Sequence, residues 1–329
     1  MNTAPPLRIA QSVALDQTAS EDYDRLVAEE LAHYSDIAVT DGLTEGGTHA
    51  HQSWGYYFEY LYAAHFKISF YDAVVKATEG IKSPRILSLG CGYGGHDLEI
   101  ARKLERPCEV LAVDLNPRIY DSAMRRVTAE ELPIKFQSLD LNRVELEPGY
   151  FDVIYAVASI HHILNLEHLF TQLHRGLKED GHLVIVDIIG KTQVEFWREN
   201  VEYVAKVVKR LPSRYTGAVG LRPFSRFFFD PYTIISPYVE PEIQRGMEGI
   251  RQEEIVPLLG RWFQPKQVFY YDAYMRLICT NPILGPRLNP ANELDRSLLR
   301  SLIDEEMAVI ASGKIRPTEV FGIYTKKAL

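Results

Sequence analysis

LSLGCGYGGHDLEIAR, residues 87–102, is the stretch on which the fold turns. An apolar β-rich run enters a bend carrying Gly90, Gly92, Gly94 and Gly95, and an amphipathic run leaves it, which is the strand, glycine turn and helix of a ligand-binding βα unit. Without Cβ atoms Gly90, Gly92 and Gly94 let the chain bend sharply and let a ligand approach its N–H groups. By itself the bend decides little, because Gly90, Gly92 and Gly95 also fit G-x-G-x-x-G and so allow a nicotinamide dinucleotide as readily as another adenosyl cofactor.

Working outward, short runs rich in Val, Ile and Leu recur at 85–90, 109–114, 134–140, 151–157 and 182–188, and longer amphipathic runs separate them. That alternation predicts right-handed βαβ units around a parallel sheet, with strands buried on both faces. Helices are expected over 97–104, 117–130 and 165–177. In the C-terminal part 268–278 alternates like a strand, 291–312 reads as a helix and 319–327 as a last strand, a pattern that adds a reversed edge. The expected fold is α/β: a doubly wound, mostly parallel seven-stranded sheet with an aromatic-rich helical cap. Four regions follow: 1–80, an N-terminal helical part of the cap; 81–190, the cofactor-binding core; 191–265, an inserted cap or lid; and 266–329, which completes the sheet.

Composition narrows the partners. The chain has 329 residues, 46% apolar and 24% charged, enough to build a large core. A formal charge of -8 disfavours nucleic acid and anionic membrane surfaces, so a small-molecule substrate is expected, with oligomeric state left open. Cys91, Cys108 and Cys279 are too few and too scattered for a disulfide framework or a zinc site, and no metal site is read. No apolar run approaches the roughly 20 residues of a membrane span, and the first residues lack a secretory pattern, which points to the cytoplasm.

The segments after the glycine bend discriminate between cofactors. Asp114, at the end of the second run, can accept hydrogen bonds from both hydroxyls of an adenosine ribose and so fits either cofactor. The pair Asp140-Leu141 suits an adenine, the carboxylate accepting from the exocyclic amine while leucine covers the ring. PGYFDVIYAVASIHHI (148–163) and LHRGLKEDGHLVIVD (173–187) follow. Taken in this order, residues 85–190 closely resemble the class I S-adenosylmethionine-dependent methyltransferases. The resemblance implies that S-adenosylmethionine is the cofactor, that Gly90, Gly92 and Gly94 shape its methionine pocket, that Asp114 with Leu115 holds the ribose, and that Asp140 with Leu141 frames the adenine. It also places Ala156 beside the methyl donor. Each aspartate has a plainer reading as a cap or turn residue.

For the acceptor side the candidates are His161 and His162, directly after the fourth strand, where an open α/β sheet places its ligands. One of them could serve as the base that a hydroxyl acceptor needs; the competing reading is that successive residues point apart and a histidine here satisfies backbone groups. Trp54, Tyr56 and Tyr57, together with Phe224, Phe227, Phe228, Phe229, Tyr232 and Tyr238, could form an aromatic lid over an organic substrate, with Trp54, Tyr57, Phe228 and Tyr232 as the contacts. Aromatics at this density equally serve a cap's own core. The functional expectation is methylation of a small molecule, foremost O-methylation of a sugar or secondary metabolite. An N- or C-acceptor, a non-methylating or regulatory S-adenosylmethionine binder, and a nicotinamide oxidoreductase are the alternatives.

Overall fold

A computed structural model of the protein describes residues 10–11, 17–40, 51–104, 106–117, 121–192, 195–216 and 246–328. Seven strands form the sheet: β1 (Arg85–Leu89), β2 (Glu109–Asp114), β3 (Ile134–Ser138), β4 (Phe151–Val157), β5 (Leu177–Ile188), β6 (Phe263–Tyr271) and β7 (Glu319–Lys326). Their order is β3-β2-β1-β4-β5-β7-β6. The first five are parallel, and β7 lies antiparallel between β5 and β6. This is the doubly wound, reversed-edge sheet expected from the spacing of the apolar runs.

The reason lies in the strand sequences. Val110 and Ala112 face one side of the sheet with Val153, Tyr155 and Val184, while Leu111 and Val113 face the other with Ile154, Ala156, Leu183 and Ile185. Both alternating sets are apolar, so helices must cover both faces. One face is covered by α6 (Leu166–Gly176) and α8 (Ile255–Trp262), whose Leu169, Leu173, Ile255 and Leu258 are buried there. On the opposite face lie α2 (Gln52–Tyr60), α3 (Phe70–Lys76), α4 (Gly95–Lys103), α5 (Asp121–Glu130), α7 (Arg198–Arg210) and α9 (Glu293–Ala311). Helix α1 (Gln17–Thr40) stands apart from these two layers and reaches the cleft described below. Val204, Val207 and Val208 of α7 belong to the same core as Tyr57 and Val184, so this helix is part of the sheet's covering layer.

The aromatic N-terminal segment is also core. Trp54 stacks on Tyr57 at 5.1 Å, Phe66 stacks on Phe269 of β6 at 4.4 Å, and Phe66 meets Tyr271 edge-on at 5.5 Å. Tyr57 is wholly buried, its hydroxyl donating to Glu306 of α9 at 2.7 Å and accepting from the Asp272 amide at 3.0 Å. Trp54 and Tyr57 therefore pack the reversed edge of the sheet against α9, and the acceptor-binding role expected for them is corrected. Phe228 and Tyr232, with the other aromatic residues of 224–238, lie outside the described residues.

The strand expected over 268–278 ends at Tyr271. Asp272 takes φ +52°, and the amides of Ala273, Tyr274 and Met275 all donate to Glu306 Oε1 at 2.8–2.9 Å, which turns the chain into the short helix Met275–Cys279. A buried carboxylate with four donors has replaced the sheet ladder.

Tyr57→Phe should cost about 1–3 kcal/mol in denaturant unfolding, because the Asp272 amide and Glu306 Oε2 lose the hydroxyl that joins them, and should leave cofactor affinity unchanged. Intact stability with lost acceptor turnover would restore the acceptor reading. Burial and the neighbouring Asp272 raise the Glu306 carboxyl from 4.5 to about 7. A folded value above the ordinary one favours the protonated native state, so this contribution is present below about 4.5 and is lost as pH rises through about 7. Glu306→Gln should flatten that part of the stability profile.

Candidate active site

The carboxyl ends of β1 to β4 open onto one cleft of about 150 Å³. The strand order places it where β1 separates β2 from β4, the switch point at which open α/β sheets bind ligands. Of the residues expected at the cofactor, Gly90, Gly92, Asp114, Leu115, Asp140 and Leu141 all line it. Gly90 takes φ +58°, and a Cβ there would stand 2.4 Å from the Ser159 Cβ, so the bend after β1 and the turn after β4 meet only because no side chain intervenes.

Asp114 closes β2 and turns back on the glycine bend: Oδ2 accepts from the Gly92 amide and Oδ1 from the Asn116 amide, each at 2.9 Å. Burial raises its carboxyl above the ordinary value, and those two amides oppose the shift. Asp140 Oδ1 accepts from the Asn142 amide at 2.9 Å, and both its oxygens receive the Tyr23 hydroxyl, at 2.7 and 2.8 Å. Arg143 lies over the Tyr23 ring at 4.4 Å and holds it from the far side.

Gly94 and Ala156 do not line the cleft. Gly94 caps α4 at φ +71°, and Ala156 is fully buried in β4 opposite Leu89. The chain leaves the sheet only after Val157, and it is Ala158, at φ +48°, that reaches the wall. A non-glycine residue in this conformation is uncommon.

The turn after β4 carries both histidines. Asp187, at the end of β5 and with no exposed side-chain surface, accepts from the Ser159 and Ile160 amides at 3.2 and 2.8 Å and from His161 Nδ1 at 2.7 Å. His161 Nε2 then faces Glu248 Oε1 at 3.3 Å. His162 faces the other oxygen, Oε2, through Nε2 at 3.3 Å, and its Nδ1 lies 2.8 Å from Glu30 Oε1, at ion-pair distance though off the line of a hydrogen bond. The rings are 4.2 Å apart. Of the two, only His162 lines the cleft; His161 is enclosed.

These contacts set the electrostatics. Burial pushes the His161 imidazole down, but Asp187 and Glu248 outweigh it and raise it to about 10. Burial would raise Glu248, and the two histidines hold it well below the usual carboxylate range. Burial and the carboxylates of Glu248 and Glu30 push the Tyr34 phenol far up, so it stands as a hydrogen-bond donor, 3.1 Å from Glu248 Oε2.

Sequence reasoning missed Tyr23, Glu30, Tyr34, Asp187, Met247 and Glu248. For three of them a signal existed: Tyr23, Glu30 and Tyr34 are spaced by seven and four, one face of a helix. Glu30 ties α1 to the segment after residue 245, since its Oε2 accepts from the Met247 amide at 2.8 Å. That segment is locked in turn by Arg251, which donates to Glu167 of α6 at 2.7 and 2.8 Å and to the Leu164 carbonyl at 2.8 Å.

A family model described as a methyltransferase domain matches residues 86–181, from β1 into β5. Over residues 86–181 the chain is thus similar to methyltransferase domains. Phosphoethanolamine N-methyltransferase 3 of Arabidopsis thaliana is 29% identical over 103 residues, 31% of this chain and 21% of its own length. Sterol 24-C-methyltransferase of Clavispora lusitaniae is 21% identical over 244 residues, 70% of this chain and 62% of its own. The match thus spans about a fifth of the length of the phosphoethanolamine relative. A solved structure of Haemonchus contortus phosphoethanolamine N-methyltransferase 2 in complex with S-adenosyl-L-methionine covers 90% of this chain and 60% of its own, at 18% identity and a TM-score of 0.47.

Gly90→Ala should destabilise the methyltransferase domain by about 2 kcal/mol or more, through positive φ and the Ser159 contact together, and should weaken binding of S-adenosylhomocysteine. A variant with unaltered unfolding midpoint and unaltered affinity by calorimetry would show that the bend is not held by this approach.

Proposed function

We propose that this chain transfers a methyl group from S-adenosylmethionine to a small-molecule acceptor, and that the accepting atom is a hydroxyl oxygen of a sugar or secondary metabolite. The observation that carries this reading is the convergence of the glycine bend, Asp114 and Asp140 on one cleft whose wall also holds His162 and Tyr34. When bound, S-adenosylmethionine supplies a methyl already activated by its sulfonium, so the protein has to align, desolvate and dispose of a proton.

The residues present fit that cofactor. Gly90 leaves the close approach open, and Asp114, although each oxygen holds one amide, keeps lone pairs for a ribose diol. Asp140 Oδ2 carries the Tyr23 hydroxyl and an Arg143 Nε at 3.8 Å, which leaves room for one more donor such as an adenine amine. Leu115 and Leu141 provide the apolar contacts. Glu30, Leu31 and Tyr34 of α1 also line the cleft.

On the acceptor side, His162 and Tyr34 line the cleft, with Glu248 and the enclosed His161 behind them, a polar wall suited to a hydroxyl, which needs its proton removed. A second reading, an amine acceptor, is favoured by the carboxylates of Glu30 and Glu248 beside the cleft and by the relatives named as phosphoethanolamine N-methyltransferases. A cytoplasmic setting is part of the proposal: the three cysteines are free, and no helix among the described residues is long and apolar enough to cross a membrane.

Asp114→Ala should weaken S-adenosylmethionine binding more than tenfold through loss of a charged acceptor; equal affinity by calorimetry would remove the ribose assignment. His162→Ala should lower turnover with little change in cofactor affinity, measured as S-adenosylhomocysteine formed across a panel of sugars, phenols, amines and sterols. Product from amines alone would replace the hydroxyl reading with the second one, and wild-type turnover would free His162 of an acceptor-side role.

A further inference from the structure

We propose that His161, His162 and Glu248 form a binding site for a first-row transition-metal dication, of the zinc or ferrous type, on the wall of the methyltransferase cleft. One donor atom from each of the three residues lies within 4.8 Å of the others. The two Nε2 atoms each stand 3.3 Å from a Glu248 oxygen. Those two oxygens, Oε1 and Oε2, belong to one carboxylate, so all three side chains converge on a single point.

The support behind the three residues points the same way. His161 Nδ1 is hydrogen-bonded to Asp187 at 2.7 Å, whereas His162 Nδ1 only faces Glu30 at 2.8 Å, off the line of a hydrogen bond. A carboxylate behind a histidine fixes its ring and aims the other nitrogen, which is how metal-ligating histidines are held. Here both Nε2 atoms are aimed at one carboxylate, and the Tyr34 hydroxyl also stands 3.3 Å from that of His162. Asp187 is further fixed by the Ser159, Ile160 and Ile188 amides, so the arrangement is rigid. Two imidazoles and one carboxylate select zinc, ferrous iron and their neighbours over magnesium or calcium, which take oxygen ligands.

Access is present as well. The Glu248 side chain is 33% exposed, and His162 lines the cleft beside Tyr34. Resting on the methyl-transfer reading, a cation there would hold an acceptor hydroxyl and ease loss of its proton; the site itself does not depend on that reading. Adjacent histidines 86 residues before their glutamate form no spacing motif, so the sequence alone gave no metal site.

The test is a titration of the whole chain, stripped with chelator, by Zn²⁺ in calorimetry and by Co²⁺ in visible absorption. The expected result is one saturable equivalent, with a Co²⁺ ligand-field spectrum, and an affinity lowered on the order of a hundredfold or more in His162→Ala and in Glu248→Gln. His65→Ala, a control away from the cleft, should bind as wild type. Circular dichroism checks folding, and if His162→Ala fails to fold, Glu248→Gln carries the comparison. No saturable binding by folded wild type, or equal binding in wild type and both variants, overturns the site. S-adenosylhomocysteine titrated separately reports on the methyl-transfer reading: metal bound without it would sustain the site and defeat that reading.

Discussion

The buried carboxylate of Asp187 is the constraint on which the turn after β4, and the cleft wall it forms, rests. An enclosed carboxylate is costly unless its lone pairs are filled, and Asp187 fills them with the Ser159 and Ile160 amides on one oxygen and with His161 Nδ1 and the Ile188 amide on the other. All but the last belong to the turn after β4. The end of β5 therefore dictates how the chain leaves β4, puts Ala158 into its positive-φ conformation at the cleft, and brings Ser159 under Gly90. One side chain thus joins the shape of the glycine bend to the orientation of His161.

A second constraint comes from outside the sheet. Helix α1 lays Tyr23 over Asp140, Glu30 beside His162 and Tyr34 against Glu248, so both ends of the cleft are roofed by one element. Glu30 also receives the Met247 amide, and a Cβ on Gly246 would lie 2.4 Å from its Oε2. The chain returning toward β6 can therefore dock on α1 only through a glycine at that position. The N-terminal helix and the segment before α8 form one assembly, though more than 200 residues separate them.

The sheet was legible because its strands are apolar on both alternating sets, a property of residues 85–188 read locally. The glycine bend, Asp114 and Asp140 were legible for a similar reason: each sits at the end of such a run. What was not legible depends on distant partners. Periodicity marks Trp54 and Tyr57 as one apolar face but cannot say that Phe269, Tyr271 and Glu306 will cover it, so core and lid read alike. The strand at 268 was extended too far because the three amides that end it are claimed by Glu306, over thirty residues on. Glu248 carries no local mark at all, and Glu30 only the helical spacing it shares with Tyr23 and Tyr34; both gain meaning only when α1 and the turn before α8 meet at His162.

This dependence on long-range docking joins the two ends of the cleft. Tyr23 rests on Asp140, and Glu30 and Tyr34 rest on His162 and Glu248, all on one helix of 24 residues. The cleft is therefore completed by an element that belongs to neither covering layer of the sheet, and the geometry at both of its ends depends on how that one helix docks.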